Sequence, residues 1–281
     1  MQSLDPMSLV TEEVVEAFHR DGAVWISGLL SPTWMSLIAQ GVQRNLNNPG
    51  PHLIRHFQGE PGEYLDDFGN YLVIPEYQRL VADSPIVDVV AKVLRTKKLW
   101  YFLDQIFVKE GGYSRRTPWH QDIPWLMADG SCFATMWIAL QPLTKEETLE
   151  FIAGSHRGPM YDHGVDGTGA NPLETFSGPK IPDIEQERGK WPIVSHASNP
   201  GDVLIFHPQT LHGGGEMRAG GARRSLNVRF FGEGTRYVER AAGHSPQYPG
   251  VAEVHKHGDL LRHAWFPQVY PRPTEPERAR M

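Results

Sequence analysis

The stretch TPWHQDIPW, residues 117–125, carries a His-x-Asp triplet at its centre, His120-Gln121-Asp122. On a strand, the side-chain period of two puts the His120 imidazole and the Asp122 carboxylate on one face and turns Gln121 away. A third ligand is available much later, in GDVLIFHPQTLHGGG, where His212 follows an apolar strand that begins after a Gly201-Asp202 turn. Two histidines and one carboxylate on one side of a metal form the facial set that suits non-haem Fe(II), because the opposite side keeps positions for a co-substrate and O2. A lone His-x-Asp is usually just a hydrogen-bonded pair. Here Trp119 and Trp125 flank the triplet, a Gly-Asp strand ends in a histidine, and a basic strand follows.

That basic strand, RRSLNVRF, holds two arginines that compete for one task, since a guanidinium beside a metal site suits two-point capture of a carboxylate. Alternation places Arg224 with Leu226, Val228 and Phe230, and Arg223 with Ser225, Asn227 and Arg229. An apolar inner wall would turn Arg224 inward. A polar co-substrate pocket would turn Arg223 inward, with Ser225 beside it as a second donor, and this is the expected arrangement.

The elements that must position these groups read as follows. Residues 1–10 are expected to be a flexible leader. Thr11, followed by Glu12 and Glu13, starts a helix with Val14, Val15, Ala17 and Phe18 at helical spacing, and Asp21-Gly22 stops it. Ala23 to Ile26 reads as a strand. Ser31-Pro32 starts a second helix that ends before Asn47-Asn48-Pro49-Gly50. Residues 51–77, with Arg55, His56, Tyr64, Asp66 and Asp67 among glycines, lack a pattern and read as a loop that could cover a site. One helix is expected over 75–94. Residues 99–108 read as a strand with Tyr101, Leu103, Gln105 and Phe107 on one face, and 131–140, 148–152, 203–206 and 225–231 as further strands. Many short strands with long insertions, and ligands arriving from two distant ones, imply a mainly β fold with flanking helices: a double-stranded β-helix of the jelly-roll or cupin kind. One domain is expected, with 1–98 a mainly helical bracing region, 99–235 the barrel core with an insertion at 157–191 acting as a lid or surface crossing, and 236–281 an irregular tail. Its histidines His255, His257 and His263 lack the company a zinc site needs.

Composition narrows the partners. The chain has 281 residues and a net charge of −6 with no long run of either sign, which argues against a nucleic-acid surface. The single cysteine, Cys132, excludes an internal disulfide and fits a reducing compartment. No apolar run approaches membrane-spanning length and no basic-then-apolar leader is present, so a cytoplasmic protein acting on a small molecule is expected.

FHRDGAVWISGLL, the WHQD core, WIAL followed by the strand to GSHR, GDVLIFHPQTLHGG and RRSLNVRF occur in an order that resembles the phytanoyl-CoA dioxygenase (PhyH) family of Fe(II)/2-oxoglutarate oxygenases. The resemblance implies that His120, Asp122 and His212 ligate iron, that Arg223 meets the distal carboxylate of 2-oxoglutarate, and that Trp137 and Gln105 line this co-substrate. It also implies O2 as second co-substrate and hydroxylation with release of succinate and CO2. Related oxygenases that halogenate carry Gly or Ala in place of the carboxylate, so Asp122 points to hydroxylation or another oxidation. Two departures stand out: Glu146-Glu147-Thr148 replaces a frequent Glu-Asn-Gly turn, and Gly214 stands where the mammalian enzyme has a co-substrate-binding serine. For the substrate, Trp119, Trp125, Tyr101 and Phe107 suggest an apolar or ring-bearing molecule, while Arg115, Arg116, Arg55 and His56 could greet an anion. The alternatives are a cupin-like metalloenzyme that uses a Lewis acid without oxidation, and a non-catalytic metabolite sensor. An esterase reading of His212-Gly213-Gly214-Gly215 fails, because no Gly-x-Ser-x-Gly elbow follows.

Overall fold

The Thr11 hydroxyl accepts from the Val14 N–H and caps α1 (Glu12–Asp21), and Gly22, at φ 80°, ends it in the left-handed conformation that glycine adopts without strain. The computed structural model describes residues 5–59, 63–109, 116–162, 178–217, 221–240 and 248–272. β1 (Ala23–Ile26) follows, then α2 (Pro32–Asn47), capped by Ser31. The expected patternless loop contains two strands, β2 (Ile54–His56) and β3 (Tyr64–Phe68), too short and too mixed in polarity to show a period of two. The single helix expected over 75–94 is two, α3 (Pro75–Asp83) and α4 (Ile86–Val93). Ser84 is extended, at ψ 168°, because the ring of Pro85 disfavours a helical residue before it.

The remaining strands are β4 (Leu99–Lys109), β5 (Thr117–His120), β6 (Ala128–Asp129), β7 (Phe133–Ala139), β8 (Leu149–Ile152), β9 (Ile193–Val194), β10 (Val203–Phe206), β11 (His212–Gly214), β12 (Arg223–Gly232) and β13 (Arg236–Tyr237). A short α5 (Val251–Val254) and β14 (Gln268–Tyr270) complete the chain. An eight-stranded sheet runs β1-β10-β7-β12-β4-β3-β2, with β14 also on β4, and a four-stranded sheet runs β5-β11-β8-β9. Two facing antiparallel sheets of this kind make the jelly roll.

The large sheet has two chemically different faces. Ile106, Val108, Met136, Ile138, Ile205, Leu226, Val228 and Phe230 form one cluster with Phe18, Ile38, Val42, Leu80, Val89 and Val90 of the helices. Burying each such side chain stabilises by about 1.5–3 kcal/mol, which makes the helices a brace for this face. The opposite face looks toward the small sheet, and there Trp137, Leu204 and Phe206 pack with Phe151.

Two further expectations change at the level of elements. Residues 5–10 are no loose leader: Pro6–Leu9 is a 3-10 turn and Val10 is wholly buried, while 1–4 lie outside the described residues. The tail is not irregular throughout, since β14 pairs with β4, the Tyr248 hydroxyl donates to the Phe102 carbonyl at 3.1 Å and Phe266 is buried. His255 is buried there and bonded to the Val251 carbonyl at 2.9 Å. Of the 157–191 insertion, 163–177 lie outside the described residues, and Ile184 packs into a cluster with Trp119, Ile152 and Leu211.

Candidate metal centre

β11 pairs antiparallel with β5 so that His212 stands opposite His120, and their rings lie 4.1 Å apart. The ladder slips between His212 and Gly214, which sets Thr117 opposite Gly214 and leaves an extra residue in β5. Each imidazole has its Nδ1 at 2.8 Å from a carbonyl two residues back, Pro118 for His120 and Thr210 for His212. Donation from Nδ1–H leaves Nε2 with its lone pair toward the centre. Asp122 arrives differently from the expected strand alternation: it sits in helical conformation at the head of the 3-10 turn Ile123–Trp125, and its N–H donates to Pro208 O at 2.8 Å. Its Oδ1 lies 3.6 Å from Nε2 of both histidines. Gln121 is turned away and buried, donating to Pro159 and Gln209 carbonyls and accepting from the Tyr161 N–H, which fixes the turn.

Among the described residues, His120, Asp122 and His212 are the one group of three such side chains able to hold a metal ion, with ligand atoms within 4.8 Å of one another. Burial opposes the charge on Asp122, but Arg229 and the two histidines outweigh it and hold the carboxyl far below its usual range. Burial, then the neighbouring His120, pushes His212 down to about 3, so its imidazole is neutral and ready to ligate.

Beside this centre, β12 turns Arg223, Ser225, Asn227 and Arg229 inward, all buried. Arg224 points the other way and donates to Gln43 of α2 at 3.2 Å. Arg223 Nη1 donates to the Glu147 carbonyl at 2.7 Å, so the unusual Glu146-Glu147-Thr148 turn tethers this guanidinium. Arg223 Nε, Ser225 Oγ, Asn227 Oδ1, Arg229 Nε and Thr135 Oγ1 are buried without a hydrogen-bond partner among the described residues. Each such atom costs about 1–3 kcal/mol if left unsatisfied, so the row fits a polar ligand lying along β12. Lys109, opposite Arg223, is also buried; it donates to Thr117 Oγ1 at 3.0 Å and lies over the Tyr64 ring. Burial, then Arg223 and Arg116, pushes its ammonium down to about 6. Trp137 stands opposite Asn227 on β7, and Gln105 opposite it on β4.

The family model described as phytanoyl-CoA dioxygenase (PhyH) matches residues 18–225. The chain belongs to the phytanoyl-CoA dioxygenase family. A probable phytanoyl-CoA dioxygenase of Caenorhabditis elegans is 27% identical over 175 residues, 59% of this chain and 53% of that protein. This PhyH-family chain thus matches about half the length of that curated relative. Among solved structures, the non-haem alpha-ketoglutarate-dependent epimerase SnoN from nogalamycin biosynthesis superposes with a TM-score of 0.73 at 23% identity, over 96% of this chain and 99% of that one. The carbocyclase SnoK from the same biosynthesis gives 0.74 at 21%, over 95% and 98%. These likenesses extend the shared fold across nearly the whole PhyH-family chain.

Of the residues expected to face the substrate, the structure brings some to the site and not others. Phe107 is half-buried on the inner face, opposite Ser225 and Asp66, and Trp125 is half-buried on the turn that follows Asp122. Tyr101 is on the wrong face: β4 carries an extra residue, Phe102, between the Leu103–Arg229 and Tyr101–Phe230 pairs, and this bulge reverses the alternation. It lies in the helix-side core, with its hydroxyl donating to Asp104 at 2.5 Å. Trp119 points outward from the small sheet, donating from Nε1 to Glu185 at 2.6 Å. Arg116 is ion-paired with Glu150 at 2.6 Å and Glu185 at 3.1 Å, Arg55 with Glu63 at 3.3 Å, and His56 lies 2.6 Å from Asp66. Arg115 lies outside the described residues.

Three inward groups escaped the sequence reading: Lys109, Asp66 and Thr117. The Arg-x-Ser-x-Asn-x-Arg alternation already placed Arg229 with Arg223, but nothing local marked these three. The glycines after His212 also have a packing reason, since a Cβ on Gly215 would sit 1.8 Å from the Glu146 carbonyl oxygen.

Proposed function

We propose that this chain is a non-haem Fe(II)- and 2-oxoglutarate-dependent oxygenase that hydroxylates a C–H bond of a small metabolite or secondary-metabolite intermediate. What carries this reading is the facial His120, Asp122, His212 set standing beside a buried row of unsatisfied polar atoms on β12. Iron at the triad, with 2-oxoglutarate and O2, supplies oxidative removal of a substrate hydrogen, with succinate and CO2 as co-products.

The chain's own groups divide the remaining work. Arg223 would hold the distal carboxylate of the keto acid, and the Glu147 carbonyl fixes its guanidinium for that task. Ser225 and Lys109 add donors at the same end, and Thr117 brings the hydroxyl that Gly214 lacks, from directly across the β5–β11 ladder. Gly214 cannot carry that hydroxyl easily, since a Cβ there would lie 3.0 Å from both Arg223 Nη2 and Thr117 Oγ1. Trp137, Asn227 and Gln105 would flank the co-substrate and exclude water. Because Arg116 and Arg55 are already engaged by carboxylates, we assign a substrate that is not strongly anionic, bounded by Phe107 and Trp125.

The decisive experiment exposes the anaerobically Fe(II)-loaded protein to O2 with 2-oxoglutarate and a panel of candidate substrates, beside a His120→Ala control. Succinate that forms only with His120 present, with one oxygen atom added to the product, is the expected result. Loss of hydrogen or unchanged mass would instead favour the outcomes named for SnoK and SnoN. Arg223→Ala should raise the KM for 2-oxoglutarate by at least about tenfold, and Arg224→Ala should leave it within about twofold. A Lewis-acid enzyme would turn over without succinate and would tolerate Arg223→Ala.

A further inference from the structure

The two oxygens of Asp122 have different surroundings. Oδ1 lies 3.6 Å from Nε2 of both histidines, whereas Oδ2 accepts from Arg229 Nη2 at 2.9 Å. Behind Arg229 stands a chain of side chains from adjacent strands of the large sheet. Its Nη1 donates to Gln105 Oε1 at 2.8 Å, Gln105 Nε2 donates to Asp66 Oδ2 at 2.6 Å, and Asp66 Oδ1 lies 2.6 Å from His56 Nε2. Arg229, Gln105, Asp66 and His56 come from β12, β4, β3 and β2, all on the inner face. Arg229 is 3% exposed, so its guanidinium has little freedom to leave Asp122.

We propose that Arg229 makes Asp122 a one-oxygen metal ligand, and that Gln105, Asp66 and His56 hold the guanidinium that enforces this. The inference rests on the metal-site reading above and adds a positioning residue to it. Two imidazoles and one carboxylate oxygen fill half of an octahedral shell. A chelating keto acid and O2 together need the other half, so a carboxylate that swings both oxygens onto the metal displaces one of them. Planar guanidinium suits the clamp because it grips Oδ2 and Gln105 at once, which a point charge cannot do. Most groups that hydrogen-bond a metal ligand act on metal affinity, and their loss weakens it by about 10–100-fold. This clamp has a different signature, because releasing Oδ2 lets it join the metal.

Anaerobic titration with Co(II), read by its visible absorption, followed by titration with 2-oxoglutarate, separates the two behaviours. Arg229→Met should bind Co(II) within about threefold of wild type, while its Co(II) form binds 2-oxoglutarate at least about tenfold more weakly. Arg229→Lys, which keeps a positive charge next to Oδ2 without the fork, should recover part of that loss. Unchanged 2-oxoglutarate affinity in Arg229→Met overturns the proposal, as does loss of Co(II) binding together with a lowered melting temperature of the metal-free protein. A crystal structure of the Co(II)-loaded wild type needs no variant: one Asp122 oxygen on the metal is expected, and two would overturn the clamp alone. Failure of the wild type to bind Co(II) any better than His120→Ala would overturn the metal site itself, and with it both readings.

Discussion

At the scale of single residues, burial keeps two imidazoles neutral, that of His212 at the site and that of His207 behind it. His207, just before the loop that leads to His212, is buried, with Nε2 at 3.1 Å from the Gly130 carbonyl and Nδ1 accepting from the Gln209 N–H at 3.1 Å. Its other titratable neighbour is His156, with ring centroids 5.8 Å apart. Burial is the main cause that pushes His207 down to about 4, although the Gly130 bond opposes the shift. The folded state therefore binds fewer protons than the unfolded state between pH 6.5 and 4, and the stability this neutral imidazole supports is present above 6.5 and lost as pH falls toward 4. The loss should approach on the order of 3 kcal/mol, at about 1.4 kcal/mol per pH unit. Urea unfolding followed from pH 7 to 4.5 should show a steeper decline in wild type than in His207→Gln, and equal slopes would sink the assignment. The local signal for His207 in the sequence was weak, since a histidine before a proline reads equally well as a surface turn.

At the scale of elements, short strands do the positioning, and glycines let them approach. β11 is squeezed between β5 and β8, with His212 opposite both His120 and Phe151. Gly215, just beyond it, leaves no room for a methyl group against the Glu146 carbonyl, and backbone on both sides cannot yield as a flexible side chain would. Gly215→Ala should destabilise the protein by at least about 3 kcal/mol, as overpacking does in a rigid setting, and should loosen Arg223 through the displaced Glu147 carbonyl. A melting temperature within a degree of wild type would show that the turn relaxes freely. The bulge at Phe102 works at the same scale. It divides β4 so that Tyr101 serves the helix-side core while Gln105, Phe107 and Lys109 serve the site. The ion pairs of Arg116 and Arg188 with Glu150 and Glu185 fasten the 178–191 stretch to the small sheet. Residues that a motif reading assigns to the substrate thus serve this anchoring instead.

At the scale of the whole molecule, the centre exists only when the two sheets face each other. The candidate ligands come from β5, the turn after it and β11, while the polar row comes from β12 in the opposing sheet. A ligand set assembled in this way binds the native state and not the unfolded chain, so occupancy stabilises by mass action, about 2.7 kcal/mol at a hundredfold excess over Kd. Mn(II) with 2-oxoglutarate should therefore raise the melting temperature by roughly 5–10 °C over EDTA-treated protein. His120→Ala should abolish that rise while leaving the metal-free melting temperature nearly unchanged, because the His120 side chain is already 28% exposed. An equal rise in the variant would place the metal elsewhere. Among the described residues, no helix is long and apolar enough to cross a membrane.

The sequence by itself marked the candidate ligands, and it determined the β-rich class, the first two helices with their Thr11 and Ser31 caps, and which arginine of the pair belongs with Ser225 and Asn227. Those features are local: caps, period-two alternation and turn residues act within a few positions of one another. Only the tertiary structure decided that Tyr101 and Trp119 leave the site, that residues 51–77 supply two strands, and that Lys109 and Asp66 enter it. A bulge inverts the faces of a strand without changing its composition, and a short strand with an acidic pair shows no alternation until strands on either side cover it. Arg229 and Asp122 meet across 107 positions of chain, and that pairing follows from sheet packing and not from any spacing in the sequence.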